Sequence, residues 1–384
     1  MVRPAFYIKL LVFILPMVVL VGSAFFIALY SGEALPPRFA YETQASSPGA
    51  TYMTSHRQND FLYKYAGFDT VRPEVLFLGA SRVLAFRAGF LNRDPSAAYN
   101  AALPGRGLPD LEAFVDQLTP DNAPKIMLFQ IDQFWLNADW PTSNFEPYVD
   151  MREFRPDQIV METRQLIHEM LTGQIALDQL LRRSYPGFGQ LALGVDAIRN
   201  GDAFATDGAI QIVPRERTWL EQKLKLGNAL LAVSEGNGHY LHGDIVNEEA
   251  LDQLGRIIDK AAALNIEVIG FAPGYMPTLY DAMMDSGQYT YLEKAMPRAA
   301  ALFEDRGFHF FDFTDMSGLI RDEEMEDGNH VFEIGALKLY MRMVEGAPEL
   351  LGPYSDLNGL QQMLDAAPTM MEVVPREYWR KSSE

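Results

Sequence analysis

The sequence predicts an α/β fold, a doubly wound parallel sheet that carries a helical insertion and follows an N-terminal transmembrane helix. Three observations lead there. Five short apolar runs are each followed by turn residues or by a chemical motif, apolar residues at helical spacing fill several of the intervals, and residues 10–30 contain no charge. Strands that alternate with helices build parallel sheets, and such sheets place their sites beyond the carboxyl ends of the strands.

The first element is the uncharged stretch from Leu10 to Tyr30, 21 residues, long enough at a helical rise of about 1.5 Å per residue to cross a hydrocarbon core of about 30 Å. Ser31-Gly32-Glu33-Ala34 fits a signal-peptidase site poorly, so the stretch is expected to stay as an anchor in the bilayer. Arg3 and Lys9 precede it and Glu33 follows it. The positive-inside bias then places residues 1–9 in the cytoplasm and everything after Ser31 outside. The chain is expected to be a single-pass protein of the inner (plasma) membrane, with its folded part periplasmic if the cell is Gram-negative.

Residues 31–70 read as a tether, because Ser31-Gly32, Pro36-Pro37 and the run from Ala45 to Ala50 are rich in breakers and lack an apolar period. A folded domain over 71–346 follows. Its strands are Val75 to Leu78, Ala98 to Asn100, Lys125 to Ile131, Ile266 to Ala272 and Phe308 to Phe313. Before the fourth strand, Asn247 caps a helix in which Ala250, Leu254, Ile257, Ala261 and Leu264 recur at helical spacing. Between about 137 and 247 the pattern becomes helical, over Pro156 to Leu171, Ile175 to Arg183 and Arg217 to Val233, without a convincing strand. Aromatic residues gather in this insertion (Trp140, Phe145, Tyr148, Tyr185, Phe188, Phe204, Trp219), and it enters beside the ends of the strands, so it is a candidate lid or substrate platform. Residues 347–384 read as a tail with a short helix around Leu357 to Leu364.

Composition narrows the function. With 32 Lys and Arg against 51 Asp and Glu, the net charge of −19 disfavours nucleic acid and anionic lipid surfaces as partners. The absence of cysteine excludes thiol catalysis, disulfides and thiolate metal sites. There is no P-loop and no Gly-x-Gly-x-x-Gly. His239, His242 and Asp244 have a spacing that could ligate a metal, but a surface loop explains them equally, and neither a metal nor a cofactor is expected.

The chemistry-bearing residues are Ser81, directly after the first strand, and Asp327-Gly328-Asn329-His330 near the C-terminus. A serine hydroxyl needs an imidazole to take its proton and a carboxylate to orient that imidazole. In Asp-x-x-His a tight turn can fold the Asp327 carboxylate back onto one ring nitrogen of His330. The helix predicted from Glu333 to Val344 points its positive end at His330, which favours the neutral imidazole. Arg82 reads as a surface residue at a helix start, and Tyr275, in Pro273-Gly274-Tyr275-Met276-Pro277, as part of a site wall able to stack on a sugar or as a plain turn.

With Gly79-Ala80-Ser81, Asn100 to Gly105 and Asp327 to His330 in this order, the chain resembles the SGNH (GDSL-like) hydrolase superfamily over roughly residues 70 to 345. Its look is nearest to membrane-anchored, serine-first members such as the periplasmic peptidoglycan O-acetyltransferases. The resemblance implies Ser81, His330 and Asp327 as the catalytic triad and the backbone amides of Ser81 and Gly105 as oxyanion donors. Two positions depart from the family: Ala80 stands where it has Asp, and Asp132-Gln133 stands where it has an Asn that supplies a further oxyanion donor. Gln133 is a candidate replacement, and Asp132 a candidate for binding a substrate hydroxyl.

The expectation is an anchored extracytoplasmic serine O-acyltransferase that passes an acyl group, acetyl first among candidates, to a cell-envelope or exopolysaccharide hydroxyl. The resemblance implies a multi-span membrane O-acyltransferase as donor. A carbohydrate esterase with the same triad and a catalytically degenerate scaffold of a polysaccharide export or modification complex are the alternatives.

Overall fold

A computed structural model describes residues 4–55, 60–103, 107–141, 156–185, 189–213 and 219–374. The chain divides into two units, one formed by residues 1–63, 150–206 and 377–384, the other by residues 64–149 and 207–376.

The second unit is built on a five-stranded parallel sheet: β1 (Val75–Leu78), β2 (Ala98–Asn100), β3 (Ile126–Gln130), β4 (Glu267–Ala272) and β5 (His309–Asp312), in the spatial order 2-1-3-4-5. The five apolar runs of the sequence are these five strands. β1 and the core of β3 (Met127, Leu128, Phe129) read as unbroken apolar runs because both faces are covered and they are wholly buried, whereas the edge strand β5 is only half-buried. Pairing is in register from Val75 beside Ile126 to Leu78 beside Phe129, so the chain leaves β1 and β3 at one level, with Ser81 and Asp132 just beyond. In a sheet of this order the strand sequence reverses at β1, and the crevice outside the carboxyl ends there is where ligands bind.

Asn247 caps the helix Glu248–Ala263 by accepting a hydrogen bond from the Ala250 amide at 3.1 Å. This helix packs between Leu108–Val115 and Thr290–Glu304 and buries Leu254, Ile257, Ile258 and Ala261. Residues 347–374 pack onto this unit: Leu360 of the helix Leu357–Asp365 is buried against Glu333–Gly346, and the Val373 amide donates to Glu333 at 2.9 Å; residues 375–384 lie outside the described residues.

In the first unit the helix Pro4–Ser31 contains one stretch, Val12–Ser31, long and apolar enough to cross a membrane. Phe13 and Leu20 are each 72% exposed, yet Ala28, Ser31 and Glu33 are fully buried. The segment expected as a tether is folded here. Pro37 opens the helix Pro37–Ala45, a position that suits proline because its missing amide hydrogen would have no partner there. Thr51–Tyr52 pairs in parallel with Ala192–Leu193, and Tyr52 opposite Phe204. The region read as helical segments and loops without a convincing strand thus contributes short strands.

Acidic side chains are buried in this unit. Glu33 accepts hydrogen bonds from the Ser55 amide (3.0 Å), the Ser55 hydroxyl (2.7 Å) and the Val195 amide (2.6 Å). Burial nevertheless pushes it to about 7. Glu162 is pushed to about 8, by burial first and then by the charges of Glu33, Glu169 and Asp60. A carboxyl with a raised pKa keeps a proton that the unfolded chain releases, so the folded state binds more protons between the ordinary pKa and the raised one. Its contribution to stability therefore declines as pH rises from about 4.5 to about 8. Glu162→Gln is expected to raise the melting temperature of the detergent-solubilised chain at pH 8 and to leave it nearly unchanged at pH 5, which thermal unfolding at the two pH values measures.

Candidate functional site

The loop after β1 turns sharply because Gly79 has no side chain: a Cβ there would lie 2.6 Å from the Gln130 side chain. Gln130, fully buried at the end of β3, accepts a hydrogen bond from the Ala80 amide at 2.7 Å. That bond fixes the backbone just before Ser81, which opens a single 3-10 turn, Ser81–Val83. From the neighbouring strand, Asn100 donates to the Val83 and Phe86 carbonyls, 2.8 Å each. The Leu103 amide reaches the Gly79 carbonyl at 2.8 Å. Gly105 lies outside the described residues.

Ser81 Oγ is 2.8 Å from His330 Nε2, and His330 Nδ1 is 2.9 Å from each oxygen of Asp327. The turn that does this is local. Asp327 Oδ1 also accepts the backbone amides of Asn329 (2.8 Å) and His330 (2.9 Å), and Gly328 passes so close to the Tyr240 hydroxyl that any Cβ would collide with it. Burial alone would raise the Asp327 carboxyl, but the hydrogen bond and charge of His330 and the two amides outweigh it and hold Asp327 well below the usual range. For His330, burial lowers the pKa and Asp327 raises it more, so the net shift is upward. The helix Glu333–Gly346 was expected to favour the neutral ring. The carboxylate, in direct contact, wins over the end of a dipole.

Arg82 is not a surface residue. It is 3% exposed, and its guanidinium donates to the Asn329 carbonyl (3.0 Å), Asp132 Oδ1 (3.1 Å), Gln133 Oε1 (2.7 Å) and the Gly274 carbonyl. One side chain thus joins the ends of β3 and β4 to the Asp327–His330 turn. Gln133, the candidate oxyanion donor, is committed elsewhere: its amide donates to the Pro273 carbonyl (2.7 Å) and Thr314 (3.0 Å), and no N–H is left for a substrate oxygen. Tyr275 is fully buried under Arg82, whose guanidinium carbon is 5.3 Å from the ring centroid. It therefore has no surface to offer a sugar. Asp132 lies at the site, but its side chain is only 2% exposed and pairs with Arg82, which neutralises the repulsion an isolated carboxylate would exert there.

Ser81 opens on a cavity of about 470 Å³ walled by Asp132, Phe134, Trp135, Trp140, His239 and the start of the helix Glu248–Ala263. Of the aromatic residues of the insertion, Trp140 faces this cavity, Phe204 is core, and Phe145, Tyr148 and Phe188 lie outside the described residues. His239 and His242 do not share a ligand. His239 meets Asn329 at 2.7 Å, whereas His242 Nε2 meets the Val233 carbonyl at 2.9 Å, and among the described residues no group of side chains is arranged to hold a metal ion.

No family model matches the chain, and no curated protein matches it.

Removing one partner of a buried ion pair strands the other charge, at about 3–5 kcal/mol. Arg82→Met is expected to destabilise the chain by about that much in urea unfolding, and Arg82→Met combined with Asp132→Leu to recover part of the loss, since no bare carboxylate then remains while the Asn329, Gln133 and Gly274 oxygens stay unpaired.

Proposed function

We propose that the protein is a membrane-anchored serine O-acyltransferase of the SGNH type, acting on a hydroxyl of an envelope or extracellular polysaccharide. The observation that carries the reading is the hydrogen-bonded chain Ser81–His330–Asp327 at the carboxyl end of a parallel sheet, opening on an aromatic-walled cavity. With Asp327 holding the proton of Nδ1, the lone pair of Nε2 faces the hydroxyl whose proton it must take.

In the first half-reaction, Ser81 Oγ forms a bond to the acyl carbon while its proton moves to His330 Nε2. The tetrahedral intermediate collapses, the bond from acyl carbon to donor oxygen breaks, and the leaving oxygen takes the proton from His330. The acyl-serine is resolved by a sugar hydroxyl, which gives its proton to His330 and attacks the acyl carbon, after which Ser81 leaves and recovers that proton. Water in place of the sugar makes the same site an esterase. The bilayer enters through Val12–Ser31, the donor being a multi-span acyltransferase in that membrane. Ala28 and Ser31 at the end of this helix, and Glu33 just after it, are buried, which favours a retained anchor over a cleaved leader. The charges of Arg3, Lys9 and Glu33 support an extracytoplasmic site.

The test is acylation by 4-nitrophenyl acetate with and without acetyl-acceptor oligosaccharides. A burst of nitrophenol followed by slow turnover that the oligosaccharide accelerates, with acetylated sugar as product, supports transfer. Equal turnover with and without the sugar supports hydrolysis, and no difference between wild type and Ser81→Ala overturns both.

The pH dependence follows from His330. Only its neutral form accepts the serine proton, so acylation is lost as pH falls through its raised pKa, and the rate is expected to climb through an apparent pKa above the ordinary histidine value of 6.5. Asp327→Asn removes the charge that raises it and presents the wrong tautomer. It is expected to shift that limb to lower pH and to cut the rate about a thousandfold or more, as stopped-flow acylation across pH 5–9 would record.

A further inference from the structure

One imidazole at the cavity is left without a task by this reaction. His239 lies in the short turn Gly238–Tyr240, stacked on Phe134 with ring centroids 4.6 Å apart and planes 15° apart. Its Nδ1 is 2.7 Å from Nδ2 of Asn329. With Nδ2 of the Asn329 amide turned toward the ring, Nδ1 accepts, which assigns the ring proton of the neutral imidazole to Nε2. Nε2 has no hydrogen-bond partner among the described residues, and the side chain is accessible from the cavity that Ser81 also lines. Crowding by protein, and secondarily the charges of His330 and Arg82, lower its pKa against the pull of Asp132 and Asp327. At neutral pH it is a hydrogen-bond donor without a charge.

A donor is needed here. As Ser81 adds to an acyl carbon the carbonyl oxygen takes up negative charge, and side-chain donors aimed at it are worth about a hundredfold to a thousandfold each in rate. At the end of β3, Gln133 gives its amide to Pro273 and Thr314 and Asp132 has no hydrogen to give. Around the cavity Gln253 and Arg256 donate to Glu112, and Asn247 to the Trp135 carbonyl. His239 is the donor fixed by the catalytic turn itself.

We propose that His239 is a further catalytic residue whose Nε2–H donates to the carbonyl oxygen of the reacting acyl group. The inference rests on the reading of Ser81 as nucleophile. One four-residue turn then sets two imidazoles in opposite tautomers: Asp327 leaves Nε2 of His330 bare to take a proton, and Asn329 leaves Nε2 of His239 protonated to give a hydrogen bond.

The full-length chain in detergent is acylated with 4-nitrophenyl acetate, and the acylation rate constant and KM are measured separately. His239→Phe keeps a ring on Phe134 and removes the donor; it is expected to lower the rate constant about a hundredfold with KM within about twofold. His239→Gln, which restores an N–H of similar reach, is expected to regain at least a tenth of the wild-type rate, and circular dichroism establishes that both variants are folded. The nitrogen-15 spectrum of the wild type is expected to show Nδ1 of His239 as the unprotonated nitrogen. Wild-type acylation in folded His239→Phe, or a loss carried by KM alone, overturns the role of His239 while Ser81 stands. Acylation of Ser81→Ala at the wild-type rate overturns both readings together.

Discussion

The interaction on which the site depends is the buried guanidinium of Arg82. Its planar fork meets four acceptors from three loops, those after β3 and β4 and the Asp327–His330 turn. Such a fork imposes direction as well as attraction, which a point charge does not. Because Arg82 follows Ser81 directly, the register of the serine against His330 is set by the same contacts. Asp132 then balances the charge of Arg82 rather than facing a substrate, and Gln133 is drawn into the interior with it. The residues that stand where an oxyanion donor was expected have become part of the clamp.

The imidazole is tuned by competition between burial and one carboxylate. Burial disfavours the charged ring, Asp327 in bidentate contact favours it, and the carboxylate prevails. A ring held in this way gains proton affinity and is protonated more often near neutrality.

Much of the central sheet was legible in the sequence, because strands buried on both faces show themselves as apolar runs bounded by breakers, and Val75–Leu78 and Ile126–Gln130 are such runs. The Asp327–His330 turn was legible for another reason: its hydrogen bonds span two or three residues, so spacing alone specifies them. What could not be read depends on distant partners. Arg82 looks like a surface residue until Gly274 and Asn329, 192 and 247 residues away, are placed beside it. Tyr275 and Gln133 failed as substrate contacts through the same long-range packing. Residues 31–70 misled for a local reason. Prolines and small polar residues that break a period also cap and start helices, as Pro37 does. His239 had no signal beyond its type, since only the fold brings it to Asn329.

The claim at the centre of this account is that Ser81 is an activated nucleophile. The most direct measurement is to treat the detergent-solubilised chain with a fluorophosphonate and to locate the adduct by peptide mass spectrometry. The account predicts one stoichiometric adduct on Ser81, absent in His330→Ala. A folded wild-type chain that carries no adduct on Ser81 after prolonged exposure would contradict it.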